Sequence, residues 1–529
     1  MPPARRLARI ARYFALLTAA ALGFGLLASA AAGAPAPVND PFYAYSDSLA
    51  GVAPGTVLRT RAVQVSVAGT PQAYPGTQVL YRTTNQLGQP SATVATIIRP
   101  IGASVAPVKL LSYQTFYDGL ASTCRPSYTL QAGDPSNTTA NADEALMLDY
   151  VQQGFTVVSS DYEGPTDDYG AGHESGYGTL DAIRAAQHDL GLQPRTTPVG
   201  MVGYSGGSIA SEWASELAPR YAPELHLIGV AEGGIPVDYV HTVGYIDGSS
   251  SWAGAIPAVT LGLVRAYRLD VARYFTPHAL EIFKQVRQGC LNPTAYPGLK
   301  LEDLFKPQYR DWKKVPAFVR IFNASIMGEA GTPTEPLLMG VGNVDGTGDG
   351  VMIAKDVQQL AYIYCTRGLS VQFHVYGNSD HVHAAPQFEA QAVQFLEQRY
   401  NGQPVASECG SIGPGNPLTP LPEPAQTKRR PPHVKLRSAR VNRRRHALVV
   451  VLATDRGSVQ RITVELRRGR RIEAKRTLVR LTTRPRGVVL RVHGATPPAG
   501  HYRLSVIVRG KTVLRHAVTI RAVGRARTR

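Results

Sequence analysis

Three runs of β-branched and apolar residues, 77–83, 92–99 and 108–113, lie between Gly/Pro-rich breaks and are expected to be strands. Beyond them the pattern alternates. A helical stretch near 142–153 precedes the apolar run 155–160, and another near 177–190 precedes 199–203. A further helix separates that strand from 227–231. Strands alternating with helices predict an α/β architecture, a parallel sheet covered on both faces. Residues 237–332 break the rhythm with helical pieces at 257–269 and 277–288 and scattered aromatics. It resumes with strand 336–340, helix 352–367, strand 370–376 and helix 387–400. An insertion of that size is expected to cap the C-terminal edge of the sheet. An irregular extension with no part in binding is the alternative.

The pattern changes again near residue 410. Residues 411–427 read as a Pro/Gly linker. Residues 428–529 then hold about six or seven short strands in roughly 95 residues, which suggests a small all-β, immunoglobulin-like sandwich. At the other end, residues 1–34 have the layout of a secretory signal. Arg5, Arg6, Arg9 and Arg12 precede the apolar stretch 13–27, and small residues (Ala28-Ser29-Ala30, Ala32-Gly33-Ala34) follow. Export to the extracellular side, with or without association with the cell surface, is the expectation; an uncleaved anchor is the alternative. The 529 residues thus divide into a signal, a long α/β domain over 35–410, a linker and a β domain.

Composition sharpens two points. Hydrophobic residues make up 44% and charged residues 18%, which allows a large core and excludes global disorder. The net charge of +18 is not evenly spread: residues 1–427 carry 27 Lys/Arg against 35 Asp/Glu, and residues 428–529 carry 29 against 3. The basicity therefore belongs to the β domain. Such a domain would bind anionic cell-surface polymers, anionic lipid or nucleic acid by charge. It carries no motif for specific nucleic-acid recognition, and a spacer or stability module is the other reading. The four cysteines, an even number in an exported chain, suggest two disulfides, and none has zinc-site spacing.

The chemistry centres on Gly203-Tyr204-Ser205-Gly206-Gly207, a G-x-S-x-G match between an apolar strand and a plausible helix. That is the setting of a nucleophile elbow, in which glycines admit a tight strand-to-helix turn. The turn would lift the Ser205 hydroxyl clear of the sheet and aim the Gly206 amide at an oxyanion. A serine needs a histidine base held by a carboxylate, here in the chain order Ser, acid, His. Asp345 and Asp349 lie in the loop after strand 336–340, and His381 and His383 in the loop after strand 370–376. Spacing alone leaves both choices open. His374 falls within a strand and reads as structural. The NVDGTGDG loop resembles a calcium loop only superficially, because its terminal-glutamate position is Ala354.

These motifs resemble the secretory lipase family, typified by yeast lipase A, over roughly residues 40–410. The matches are YQTFYD at 113–118, SDYEGP at 160–165, LDAIRAA at 180–186, GYSGG at 203–207, and the D-G-V stretch running to Cys365 and then His381. The resemblance implies an α/β-hydrolase fold with Ser205 as nucleophile, Asp349 rather than Asp345 as acid, and His381 rather than His383 as base. It implies Asp118 as the second oxyanion donor beside Gly206; a turn cap is the plainer role for Asp118. It also implies disulfides Cys124–Cys290 and Cys365–Cys409, no cofactor or metal, and a cap over an acyl pocket. Trp252, Leu261, Leu263 and Tyr267 could line that pocket, and core packing explains them as well. Lipid or other ester substrates follow, most directly triacylglycerols. A short-chain or cell-wall esterase is the alternative enzyme, and a non-catalytic surface-binding protein the alternative class.

Overall fold

Neighbouring residues of the short apolar strands are buried on opposite faces of one sheet. Leu110, Val158, Met201, Val230 and Leu337 join one apolar cluster. Leu111, Val157, Val202, Ala231 and Leu338, one residue away in each strand, join the other. This two-residue alternation with apolar side chains on both faces is what a sheet covered on both sides demands. The computed structural model describes residues 33–102, 107–423 and 433–521, apart from 443, 445, 456, 494, 495 and 509. The segment expected as a signal lies outside the described residues but for its last two positions, as does the end of the expected linker. The described residues fall into two units divided between Pro424 and Ala425.

The first unit carries nine strands: β1 (Val57–Val67), β2 (Thr70–Thr84), β3 (Pro90–Ile98), β4 (Lys109–Gln114), β5 (Phe155–Ser160), β6 (Pro198–Tyr204), β7 (His226–Gly233), β8 (Leu337–Asn343) and β9 (Val371–Gly377). Their order is β1-β2-β3-β5-β4-β6-β7-β8-β9. From β5 to β9 the pairing is parallel. From β1 to β5 it is antiparallel, so the parallel pairing expected from the strand–helix alternation holds for β5 to β9 and not for the first strands. The cause lies in the connections. Ala68 and Gly69, both at positive φ, join β1 to β2, and a five-residue turn around Gly88 joins β2 to β3. Neither is long enough for a parallel crossover.

Helices α1 (Thr138–Gln152), α2 (Gly172–Asp189) and α3 (Gly206–Tyr221) fill the connections before β7. Between β7 and β8 runs the insertion, with α4 (Tyr239–Ile246), α5 (Ala255–Ala266), α6 (Pro277–Val286) and α7 (Pro316–Asn323). Helices α8 (Ala354–Thr366) and α9 (His381–Tyr400) complete the unit. Met147 and Val151 of α1 share a face with Phe388 and Leu396 of α9. Ile183 of α2, Trp213 of α3 and Leu360 of α8 cover the other. Disulfides join Cys124 to Cys290 and Cys365 to Cys409. Residues 412–421 are held along this unit. Gly415 N and Asn416 N donate to Gln359 Oε1 and Lys355 O on α8, and Leu421 exchanges two hydrogen bonds with Asn323 of α7.

The second unit is a β-sandwich. Strands β10 (Val434–Asn442), β11 (Ala447–Thr454) and β14 (Arg486–Leu490) form one antiparallel sheet in the order β10-β11-β14. Strands β12 (Val459–Arg468), β13 (Arg471–Leu481), β15 (Gly500–Val508) and β16 (Lys511–Ile520) form the other, ordered β13-β12-β15-β16. Leu448, Val450 and Leu452 of the first sheet meet Val464, Leu466, Leu504 and Val506 of the second in one core. Seven strands in this order form the immunoglobulin-like sandwich expected from the strand spacing.

Candidate active site

Strand β6 delivers Ser205 to the C-terminal edge of the sheet and α3 begins at the next residue. Ser205 has φ 54° and ψ −121°, a conformation that non-glycine residues rarely adopt. The surrounding glycines are sterically required. A Cβ on Gly203 would lie 2.3 Å from Gly207 O, and one on Gly207 would lie 2.0 Å from Gln114 O. The strained turn is held by Ser205 N donating to Gly233 O at 2.8 Å and Ser208 Oγ donating to Ser205 O at 2.6 Å.

The loops after β8 and β9 converge on this serine. His381 Nε2 lies 2.7 Å from Ser205 Oγ, and His381 Nδ1 lies 2.7 Å from Asp349 Oδ2. Asp349 is fully buried, and its other oxygen accepts from Val351 N and Met352 N at 2.9 and 2.6 Å. Those two amides fix the carboxylate so that Oδ2 remains aimed at the imidazole. Asp380 caps α9 by accepting from Val382 N and His383 N, which sets His381 at the helix start. Asp345 and His383 stand apart. Asp345 accepts from its own loop at Thr347 N and Gly348 N and from Tyr245 Oη, which holds its carboxyl below the usual carboxylate range. His383 is exposed and pairs with Asp380 at 2.7 Å. His374 lies within β9.

Asp118 sits beside the elbow. A Cβ on Gly206 would fall 1.5 Å from Asp118 Oδ1, so glycine leaves the space this carboxyl fills. Asp118 O accepts from Leu291 N at 2.8 Å, and the neighbouring Gly119 bridges Cys290. This backbone bridge and the Cys124–Cys290 disulfide together tie the insertion to the Asp118 loop. Burial pushes the Asp118 carboxyl up to about 6, and the nearby His381 opposes that rise. Gly206 is the first residue of α3, so its amide has no acceptor within the helix.

Tyr204 and Trp252 flank His381, and Tyr245 stands beside the Asp349 loop. Tyr204 Oη donates to His381 O at 2.6 Å, and its ring packs on the imidazole at 5.1 Å. It occupies the variable position of G-x-S-x-G, where residue type alone gave no hint of a role. From the insertion, Trp252 meets the imidazole edge-on at 5.4 Å. Tyr245 Oη accepts from Gly350 N at 3.2 Å, next to Asp349. Leu261 and Leu263, expected as candidates for a pocket lining, are buried in the core, and Tyr267 Oη accepts from Gln86. A cleft of about 180 Å³ opens between Gly119, Leu120, Gly254, Ala258 and the Cys290–Asn292 stretch, where the insertion meets the Asp118 loop. No group of metal-ligating side chains occurs among the described residues, and none of their helices is long and apolar enough to cross a membrane.

The sheet order, the elbow and the chain order of the three converging residues define an α/β-hydrolase. The secretory lipase family model matches residues 130–408, and the chain belongs to that family, a group of carboxylic ester hydrolases. It is 34% identical to a probable inactive lipase of Mycobacterium tuberculosis, covering 70% of this chain and 83% of that one. It is 31% identical to a secreted triacylglycerol lipase of Malassezia globosa, over 75% of this chain and 89% of that one. The crystal structure of Candida antarctica lipase A in its closed state superposes with a TM-score of 0.65 at 29% identity, covering 74% of this chain and 93% of that one.

Proposed function

We propose that this protein is an exported lipase that hydrolyses fatty-acid esters, triacylglycerols among them, through an acyl-enzyme on Ser205. The reading rests on one observation above all, the unbroken run Ser205 Oγ, His381 Nε2, His381 Nδ1, Asp349 Oδ2 with 2.7 Å at both contacts. A relative named as an inactive lipase makes this geometry, rather than family membership, the ground for activity.

His381 Nε2 takes the Ser205 proton as Oγ attacks the ester carbonyl, and Asp349 stabilises the imidazolium and holds its tautomer. The oxyanion is met by the amides of Gly206 and Asp118, each such donor being worth about 10²–10³ in kcat. His381 then protonates the departing alcohol, and water repeats the sequence on the acyl-enzyme. Residues 35–410 form the catalytic domain in this reading, with the 237–332 insertion as its cap. Residues 1–34 direct export to the extracellular side. The similarity to a secreted triacylglycerol lipase over three quarters of the chain supports the substrate class.

The test compares p-nitrophenyl butyrate and palmitate hydrolysis by residues 35–529 with the same protein carrying Ser205→Ala. Palmitate turnover lost in the variant is expected. Turnover of butyrate alone would make the protein a short-chain esterase, and turnover that survives the substitution would overturn the assignment of Ser205.

A further inference from the structure

We infer that the outer face of the β13-β12-β15-β16 sheet is a docking surface for an extended, phosphate-bearing anionic polymer. Glu465 on β12 pairs with Lys475 on β13 and with Ser505 on β15, and Ser505 pairs with Arg515 on β16. One step along, Arg467 pairs directly with Arg503 across β12 and β15. Residues 462, 464, 466, 504 and 506 of the same strands point into the core. By the two-residue alternation of a strand, Arg467, Lys475, Arg503 and Arg515 therefore share the opposite face.

Like charges placed directly opposite each other in a sheet destabilise it. Among the described residues, one acid forms ion pairs with this cluster. Glu465 lies 2.8 Å from Arg467 and 3.8 Å from Lys475 and is itself buried beneath them. Arg503 and Arg515 have no ion pair among the described residues, and both are exposed. With strands about 4.8 Å apart, the cations span about 14 Å from β13 to β16. That spacing presents several forks to successive groups of one flexible polymer. Thr463 and Thr477 stand on the same face and add hydroxyl donors.

Three of the four cations are arginines, whose planar fork matches phosphate two bonds at a time. Across residues 428–529 there are 25 arginines and 4 lysines. Among the described residues no Phe, Tyr or Trp stands at the outward positions of this face to enter a bilayer; its large apolar residues there are Ile472, Val479 and Ile507. The catalytic unit bears a negative charge and would be repelled by the same polymer, so the sandwich would hold the enzyme where its own surface would not.

The test uses residues 35–529 and long-chain sodium polyphosphate as the probe, with binding measured against salt concentration. Arg503→Glu/Arg515→Glu and the milder Arg503→Gln/Arg515→Gln are compared with Lys435→Glu/Arg440→Glu, an equal charge change on the exposed positions of β10. Hydrolysis of p-nitrophenyl butyrate should be the same in all four proteins and reports an intact catalytic unit, and an unchanged near-UV circular-dichroism spectrum and melting transition of residues 425–529 produced alone report that the sandwich is folded. The glutamate pair on the β15-β16 face is expected to weaken polyphosphate binding at least about tenfold and to flatten its salt dependence, as loss of several charge contacts does. The glutamine pair should fall in between, and the β10 pair should change binding less than about threefold. Equal losses from both faces would overturn the proposal in favour of a diffuse charge effect. Retention on phosphatidylglycerol vesicles or duplex DNA but not on polyphosphate would overturn it in favour of a membrane or nucleic-acid partner. Absence of binding to all three would reject the face as a docking surface.

Discussion

Glu212 of the elbow helix α3 and Glu232 of β7 are fully buried side by side. Tyr364 Oη donates to Glu212, but neither oxygen of Glu232 meets an N–H or O–H of another residue type. Two carboxyls can share a hydrogen bond only if one keeps its proton. Burial pushes the Glu232 carboxyl up to about 8, against an ordinary 4.5; the contact with Glu212 opposes that rise and raises Glu212 instead. The sign follows directly. The folded state keeps a proton that the unfolded chain releases, so the stability is complete below about pH 4.5 and is lost as pH rises to about 8. Each unit of pH in that window costs about 1.4 kcal/mol, or about 5 kcal/mol across it. Glu232→Gln keeps a donor for Glu212 and has no proton to lose. Urea unfolding at constant ionic strength between pH 5 and 8 should show the variant gaining on its parent by about 1 kcal/mol per pH unit. Other buried carboxyls, such as Glu144 and Glu389, affect both proteins alike and cancel in the difference. Parallel stability profiles for the two proteins would refute the shared proton.

Other expectations bear on the site and its frame. Asp349→Asn should lower kcat about 10³–10⁴-fold with little change in KM, because the amide would donate to Nδ1 and trap the wrong tautomer. Gly206→Ala should cut kcat/KM for p-nitrophenyl butyrate by at least about 10²-fold, since its methyl would displace the Asp118 carboxyl and the donor beside it. Replacing Cys124 and Cys290 together by serine should cost about 5 kcal/mol of unfolding free energy, given the 166-residue separation they span. Calorimetry of both proteins checks this, and an unchanged Tm would contradict it.

How far the amino-acid sequence reveals this architecture depends on how local each constraint is. The elbow is legible because its glycines answer to contacts within a few residues of Ser205. The choice of Asp349 over Asp345 is not, since burial separates them and burial comes from the packed Val351 and Met352. Resemblance to a family supplied that choice, as it did for His381 over His383. Strand β1 escaped notice because Arg59, Arg61 and Gln64 interrupt its apolar positions. Only the fold shows Arg61 paired with Asp40 and Gln78. Residues 412–421 read as a linker because backbone groups, which leave no trace in composition, fasten them to α8 and α7. Glu212 and Glu216 resemble the solvent face of a helix, yet their partners on distant segments bury both.

The central claim is that Ser205, activated by His381, forms the covalent intermediate. Treating residues 35–529 with a p-nitrophenyl alkylphosphonate and mapping the adduct by peptide mass spectrometry tests it most directly. One phosphonyl group per chain on Ser205 is expected, with stoichiometric release of p-nitrophenol and about 10³-fold or slower labelling in His381→Ala. Labelling at another residue, or labelling of Ser205 at an unchanged rate without His381, would contradict the account.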